Sequence, residues 1–391
     1  MSRTAPERAP PSLEAFAVSP PGFEDLVAAE LGRLGIRGGR AGQGGVTFPA
    51  GWGDVYRANL CSRVASRVLV RVAAFEAGGF RQLRRGLARV EWEAWLPPRA
   101  GVELRVATHR TPMYHSGKVA EVFREVIGRE APAPGDPPAR LFLRIVGRRV
   151  VASLDTSGEH LHRRGYRPET GPAPLRENLA AALLRRAGWT GGAPLLDPLC
   201  GSGTFPVEAA LLARRIPPGY RRSFAFEALP SFDRRLWEAV RREAEEEILP
   251  EAPCPVLGSD RDPSAVALTA RAAGRAGVGG TVQVAVAELG ELDPPARHGL
   301  LVANPPYGRR LAGGGAACRA LSDALRGPFR DWTWGVIRAA GPPRGAFGLR
   351  PREVFPFRSG GLQLAFAVGG PEGRALSPPA QGPPPGRPEK Q

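Results

Sequence analysis

A chain that ends in an α/β domain with a parallel sheet and begins with smaller α+β modules is predicted by three observations. From residue 194 onward, short apolar runs at 194–199, 255–260, 281–286 and 300–304 alternate with helix-length stretches at 204–214 and 263–276. That alternation is the pattern of a parallel sheet built from strand–helix units. The first of these runs ends in Asp197 and a glycine turn, Cys200-Gly201-Ser202-Gly203, which opens a helix. Upstream, Arg alternates with Val, Leu and Ile in several short segments, the period-two pattern of strands with one wet face.

Taken in chain order, Glu14–Val18 reads as a strand, and 22–31 has apolar residues at helical spacing before Gly32 and Gly35. Val46-Thr47-Phe48 follows a Gly-rich turn as another strand. Segments 63–75, 102–108 and 141–146 carry the Arg/apolar alternation, with a helix expected over Ser116–Ile127 between the last two. The segment 150–155 should pair with 141–146 across the Gly147-Arg148-Arg149 turn. The stretch His160–Pro168 is polar, basic and turn-rich, and reads as a linker. Leu175–Arg186 reads as a helix, and 362–368 as a last strand after Gly360-Gly361.

At 391 residues the chain is too long for one ordinary core, so two or three domains are expected. Hydrophobic residues at 42% and charged residues at 24% suit a folded globular protein, and the apolar runs are too short and too interrupted to cross a membrane. Residues 1–11 hold no apolar core of a signal peptide. Cys61, Cys200, Cys254 and Cys318 are scattered, without metal or disulfide spacing, which points to a cytoplasmic location. The histidines, at 109, 115, 160, 162 and 298, also lack ligand spacing, so no metal is expected.

The net charge is +16. Because Lys118 and Lys390 are the only lysines, arginine supplies nearly all of it, as a GC-rich genome would write whatever the function. The distribution is more informative than the total. Residues 61–190 hold 23 basic and 12 acidic side chains, whereas 1–60 are balanced at six of each. A basic module ahead of the α/β domain fits docking to RNA.

Asp197, Gly201 and Gly203 suit a nucleoside cofactor, since the glycines let backbone N–H groups approach it closely. The third glycine of the dinucleotide fingerprint is missing, because Pro206 stands there, so S-adenosylmethionine fits better than NAD. Asp260, at the end of the next strand, is placed to accept the ribose hydroxyls, with Asp262 before Pro263 as the cap of the following helix. Glu288 follows the third strand, where a carboxylate could accept from the adenine amine. Asn304-Pro305-Pro306-Tyr307 is the most specific motif. An exocyclic amine on a base is a poor nucleophile because its lone pair is delocalised. The Asn304 oxygen and the Pro305 carbonyl can accept its two N–H groups, and Tyr307 can stack on the base.

With these residues in view, the chain resembles THUMP-domain RNA methyltransferases, in particular the bacterial guanine-N2 methyltransferases of large-subunit ribosomal RNA. The resemblance spans Ala15 to Val368. It is carried by Leu154-Asp155, Ser157-Gly158 and Leu161 to Arg167, by 173–182, and by an insertion with Ile216-Pro217-Pro218-Gly219-Tyr220, Phe224 to Glu227, Phe232-Asp233 and Leu236-Trp237. The insertion resembles that of the ribosomal branch, whereas related tRNA enzymes share the other motifs. The resemblance implies a ferredoxin-like domain at 14–60, a THUMP RNA-binding domain at 61–158, a linker at 159–172 and a Rossmann-like class I methyltransferase domain at 173–370, between disordered tails at 1–13 and 371–391.

It further implies cofactor contacts from Asn178, Asp197, Cys200, Gly201, Ser202, Gly203, Thr204, Asp260 and Glu288, the last standing where the family usually carries aspartate. Asn304, Pro305 and Tyr307 would serve the base, and Arg110, His115, Lys118, Arg163, Arg164 and Arg167 the RNA. One active site is expected, since the chain stops in a Pro-rich tail. The expected substrate is 23S ribosomal RNA or a large-subunit precursor. Guanine-N2 methylation of tRNA, adenine-N6 methylation and a non-catalytic role in ribosome assembly are the alternatives.

Overall fold

A computed structural model describes residues 13–98, 100–132, 138–167, 175–306, 314–340 and 348–371. The chain divides into two compact units, Met1–Leu161 with Arg222–Ala244, and His162–Arg221 with Glu245–Gln391.

The first unit is built on a seven-stranded sheet. Its elements are β1 (Leu13–Val18), α1 (Glu24–Arg33), β2 (Arg40–Gly42), β3 (Gly45–Ala50), α2 (Trp52–Cys61), β4 (Arg67–Glu76), α3 (Phe80–Leu87), β5 (Val102–His109), α4 (Ser116–Ile127), β6 (Ala139–Val146) and β7 (Arg149–Asp155). The strand order is β2-β3-β1-β4-β7-β6-β5, with β5 and β6 parallel and β6 and β7 joined as a hairpin. The Arg/apolar alternation does place one face inward. Along β6, Ala139, Leu141, Leu143 and Ile145 are buried while Arg144 and Val146 are exposed.

Strand β4 starts four residues later than its pattern suggests. The preceding turn is claimed by Glu30 of α1, whose carboxylate accepts from the Ser62 hydroxyl at 2.7 Å and from the backbone N–H groups of Arg63 and Val64. Strand β4 pairs with β1 on one side and β7 on the other. The partition expected at residues 60 and 61 falls at the end of α2, and the strands before and after it belong to one continuous sheet.

Residues 222–244, placed by sequence within the methyltransferase domain, fold into the first unit instead. Their rings explain why. Phe226 lies 4.5 Å from Tyr56 and 5.0 Å from Trp237, with Phe224 stacked on Phe226 and Phe232 tilted against it at 6.1 Å. Buried aromatic contacts of this kind add to area burial. The Tyr56 hydroxyl accepts from the Asp233 N–H, and the Arg222 guanidinium donates to the carbonyls of Ser157, Glu159 and His160.

The second unit holds α5 (Glu177–Arg186), β8 (Leu195–Asp197), α6 (Thr204–Ala213), β9 (Val256–Asp260), α8 (Pro263–Ala276), β10 (Val282–Val286), β11 (Leu300–Ala303), α9 (Gly314–Arg326), β12 (Thr333–Ala339), β13 (Glu353–Ser359) and β14 (Leu362–Gly369), while α7 (Arg234–Glu246) runs from the inserted segment. Its sheet order is β10-β9-β8-β11-β12-β14-β13. Strands β10, β9, β8, β11 and β12 are mutually parallel, and β14 runs antiparallel to both neighbours. The central parallel strands β8 and β11 are buried on both faces, so they read as continuous apolar runs, whereas the edge strand β10 is largely exposed. Leu196, Leu301, Ala303, Phe329, Trp332, Trp334 and Val336 form one core cluster there.

The chain leaves β8 toward β9 and β10, then returns to β11 on the other side of β8. The carboxyl ends of β8 and β11 thus flank a topological switch point, the usual place for a ligand in an open α/β sheet.

Candidate active site

The sheet brings three side chains from separate motifs to its carboxyl edge. Leu196 is in register with Leu301, and Asp197 with Gly258, so Asp197, Asp260 and Asn304 each leave the end of one of three adjacent strands.

The glycine turn between β8 and α6 is fixed from below. The Cys200 N–H donates to the Ser259 carbonyl at 3.0 Å, and the Gly203 N–H to the Cys200 carbonyl at 2.8 Å. Both Gly201 and Gly203 have left-handed φ, 54° and 80°. A Cβ on Gly203 would sit 2.8 Å from Thr269 of α8, so only glycine fits. A Cβ on Gly201 would meet nothing within 4 Å, so the turn presents backbone on an open side. Thr269 also donates its hydroxyl toward the Gly201 carbonyl at 3.0 Å and the Cys200 sulfur at 3.4 Å. Cys200 is buried, and that burial pushes its thiol up to about 12, so it is a packing residue with no thiolate to offer. Ser202 sits half-buried between the two glycines.

Asp260 ties two loops together. One oxygen accepts from the Gly201 N–H at 3.0 Å and the other from the Asp262 N–H at 3.1 Å. Each oxygen keeps a second lone pair for a hydroxyl donor. Asp262 caps α8 as its position before Pro263 predicts, accepting from the Ser264 N–H at 2.8 Å. Asp197 is 2% exposed and accepts one bond, from the Leu199 N–H at 3.1 Å. Desolvation raises its carboxyl to about 8, and the nearby Asp260 charge adds to the rise.

Asn304 is half-buried and Pro305 buried, but the Asn304 Oδ1 atom is fully enclosed and has no hydrogen-bond partner among the described residues. An unpaired buried acceptor is costly, and such groups are rare in folded chains. Tyr307, expected to stack on the base, lies outside the described residues. Glu288 is exposed just past β10, and its own N–H donates to Glu291 at 3.1 Å. Asn178 is buried on α5.

Two of the expected RNA contacts are corrected. Arg164 is 3% exposed, with its Nε 3.4 Å from Glu208 Oε1. Arg167 pairs with Glu177 at 3.3 Å and donates to the Leu175 carbonyl and to the Thr204 hydroxyl at 2.5 Å. The Arg164 guanidinium is buried, that of Arg167 is partly exposed but engaged by these partners, and Thr204 is turned toward Arg167. The fully buried Tyr166 donates to Glu208 at 3.0 Å. Burial, then the Glu208 charge, raises its phenol well above the ordinary value, while burial raises Glu177 against the opposing pull of Arg167.

The described part of the expected linker is therefore a folded strap that fastens the start of α6, the helix that follows the glycine turn. Glu208 was the available signal: one carboxylate in the otherwise apolar helix Thr204–Ala213 must find a cation or a donor. Arg110, His115, Lys118 and Arg163 are exposed, with Lys118 paired to Glu121 at 2.6 Å. Among the described residues, no group of three or more His, Cys, Asp or Glu could hold a metal ion, and no helix is long and apolar enough to cross a membrane.

Comparison with known proteins places this geometry. Residues 164–334 match the methyltransferase domain described as RMKL-like, and residues 14–69 match the RlmL ferredoxin-like domain. The slr0064 protein of Synechocystis, named as a candidate RNA methyltransferase, is 33% identical over 360 residues, covering 89% of this chain and 94% of that protein. The chain belongs to the RMKL-like methyltransferase family.

The ribosomal RNA large subunit methyltransferase K/L of Methylococcus capsulatus is 34% identical over 374 residues. This chain spans about half of that longer relative: the match covers 90% of the chain but 50% of the K/L protein. Among solved structures, SMU.472, described as a candidate methyltransferase complexed with SAH, superposes with a TM-score of 0.82 at 26% identity, over 94% of this chain and all of that one. The family membership agrees with the fold and the methyltransferase activity expected from the sequence.

Proposed function

We propose that the chain transfers a methyl group from S-adenosylmethionine to the exocyclic N2 amine of a guanine in 23S ribosomal RNA. The observation that carries the reading is the enclosed, unpartnered Asn304 Oδ1 beside the switch point of a methyltransferase sheet. It is an acceptor that meets no donor among the described residues.

The residues at the strand ends fit the cofactor. The open face of Gly201, the spare lone pairs of Asp260 and the under-satisfied Asp197 form a polar cradle for a ribose and an amino-acid moiety. The SAH complex of SMU.472 supports the same cofactor here. S-adenosylmethionine, when bound, supplies an electrophilic methyl group.

The protein's part is orientation. Asn304 Oδ1 and the Pro305 carbonyl accept the two N–H groups of the target amine and draw the nitrogen toward tetrahedral geometry, which frees its lone pair. The buried proline keeps that acceptor rigid. No strong base is needed, because the amine sheds its proton after transfer.

RNA as the substrate is supported by the names of slr0064 and the K/L relatives and by the basic excess of residues 61–190. The ribosomal target rests on the resemblance of the 216–237 insertion, and the guanine amine on the resemblance of the chain as a whole to guanine-N2 methyltransferases. The deciding experiment is transfer of labelled methyl to ribosomal RNA followed by nucleoside analysis. Wild type should yield N2-methylguanosine. Asn304→Ala should lose about 10²–10³-fold in turnover, the usual effect of removing a preorganised polar group at a reacting centre, with cofactor affinity retained. Appearance of N6-methyladenosine would overturn the substrate, and full activity in Asn304→Ala would overturn the mechanism.

A further inference from the structure

Helix α6, which follows the glycine turn, starts without a cap of the usual kind. Its N-cap residue is Gly203, in a left-handed conformation and with no side chain to cover the N–H groups of the first turn. Ser, Thr, Asp or Asn is the common choice at such a position, because a side-chain oxygen satisfies one of those donors. The Val207 N–H donates to the Gly203 carbonyl at 3.0 Å, and Pro206 has no N–H. The N–H groups of Thr204 and Phe205 meet no acceptor among the described residues. A helix end left in this way tends to fray.

What holds this end comes from the side. Arg167 donates to the Thr204 hydroxyl at 2.5 Å and to the Leu175 carbonyl, and its Nε lies 3.3 Å from Glu177 in the first turn of α5. One guanidinium therefore joins the starts of α5 and α6. Its planar fork of donors serves several acceptors at once, which the point charge of a lysine does not match. Helix stability alone does not favour this placement, because a cation at a helix N-terminus opposes the macrodipole. The rest of the strap has a different partner: Tyr166 and Arg164 reach Glu208, one turn further along α6.

We propose that Arg167 is a positioning residue of the cofactor site. By holding the Thr204 hydroxyl from the side, it fixes the first turn of α6 and leaves the N–H groups there, with the open side of Gly201, uncovered for S-adenosylmethionine. A side-chain cap would fix the same turn but cover donors that a ligand can use. Arg167 acts through Thr204 and does not itself touch the cofactor. The proposal rests on S-adenosylmethionine as the cofactor but makes a separable claim about what orders its seat.

The test is calorimetric titration of the full chain with S-adenosylmethionine, with melting temperatures taken alongside. Arg167→Lys keeps the charge beside Glu177 but loses the fork. It should weaken the cofactor by about 5- to 10-fold, the worth of one capping or neutral hydrogen bond. Thr204→Val removes the hydroxyl at nearly constant shape and should weaken it equally, while Thr204→Ser, which keeps the hydroxyl, should recover most of the loss. The double variant Arg167→Lys with Thr204→Val should bind no more weakly than either single one, because both remove the same contact. Tyr166→Phe takes a buried hydrogen bond from the same strap without touching Thr204, so it should lower the melting temperature and leave cofactor affinity at the wild-type value. If wild type binds the cofactor and Arg167→Lys binds it equally well, or if the two single losses multiply in the double variant, the positioning role is wrong while the cofactor stands. If Tyr166→Phe weakens the cofactor as much as Arg167→Lys does, the strap contributes only general stability and the proposal fails. If wild type does not bind S-adenosylmethionine, both are wrong.

Discussion

Asp155 and Asp197 are both carboxylates at the last position of a strand, one in each unit, and both are nearly inaccessible, at 1% and 2%. Their surroundings differ in one respect. Asp155 forms a buried ion pair with Arg67 and accepts from the Ser157 N–H at 2.9 Å and the Gly158 N–H at 3.4 Å. Around it, Asn59, Thr156 and Ser157 satisfy one another, with Ser157 Oγ 2.6 Å from Asn59 Oδ1 and Asn59 Nδ2 2.9 Å from Thr156 Oγ1. Among the described residues, Asp197 has one backbone donor and no cation. The first arrangement closes on itself and holds β4, β7 and α2 together. The second is left incomplete at the open edge of a sheet, and Asn304 beside it is incomplete in the same way. A satisfied buried polar group is architecture, whereas an unsatisfied one at a switch point is capacity for a ligand.

The largest effect should come from breaking the closed network. Arg67→Met leaves Asp155 buried without its counter-charge, and removing one partner of a buried pair costs about 3–5 kcal/mol. Denaturant melts of the variant should show that loss with an unchanged m-value. A loss below about 1 kcal/mol, the worth of a surface pair, would mean that the network is not the clamp described here.

Asp197 should respond in the opposite direction. Burial lifts its carboxyl in the folded chain to about 8, far above the value of about 3.9 expected when unfolded. The stability this favours is complete below about pH 3.9 and is lost as the pH rises to about 8, because the unfolded chain ionises first. Asp197→Asn keeps an oxygen for the Leu199 N–H and cannot ionise. It should therefore match wild type near pH 4 and exceed it by several kcal/mol at pH 8 and above, while binding S-adenosylmethionine less well. Melting curves that stay parallel across that range would show that Asp197 is charged, and hence paired, in the folded protein.

The same contrast explains what the sequence could disclose. Strands β8, β9, β10 and β11 lie within a residue or two of their apolar runs, and the central β8 and β11, buried on both faces, need nothing beyond their own composition. The elements α3, α9 and β12 carry no such mark. In β12, Gly335 interrupts the pattern because its Cα lies against Phe366, where a Cβ would come within 2.3 Å of the ring. The placing of Asp197, Asp260 and Asn304 at strand ends was legible because each stands at or directly after the end of an apolar run. Arg164 and Arg167 were misread because an arginine in a polar, turn-rich stretch looks solvated, and the partners that bury them, Glu208 and Glu177, lie far along the chain. The transfer of residues 222–244 to the first unit depends on Tyr56, more than 150 residues upstream, and no local pattern could announce it.

Asp260 stands between the two extremes and should give the smallest effect. It is partly exposed and already accepts from Gly201 and Asp262, so it resembles Asp155, yet it faces the same open edge as Asp197. If its spare lone pairs are for ribose hydroxyls, Asp260→Ala loses a charge-assisted contact and weakens S-adenosylmethionine by about 1.5–3 kcal/mol. If the carboxylate serves only to tie the glycine turn to α8, the variant loses about 1 kcal/mol of stability and its cofactor affinity falls by no more than that. Asp260→Asn separates the two, because an amide still offers one oxygen to a backbone N–H but cannot accept two hydroxyls as a carboxylate does. Calorimetric titration of both variants, with melting temperatures taken alongside, reads the distinction. An affinity loss in Asp260→Asn with no loss of stability places Asp260 with Asp197. Wild-type affinity in a folded Asp260→Asn places it with Asp155 and removes it from the binding site.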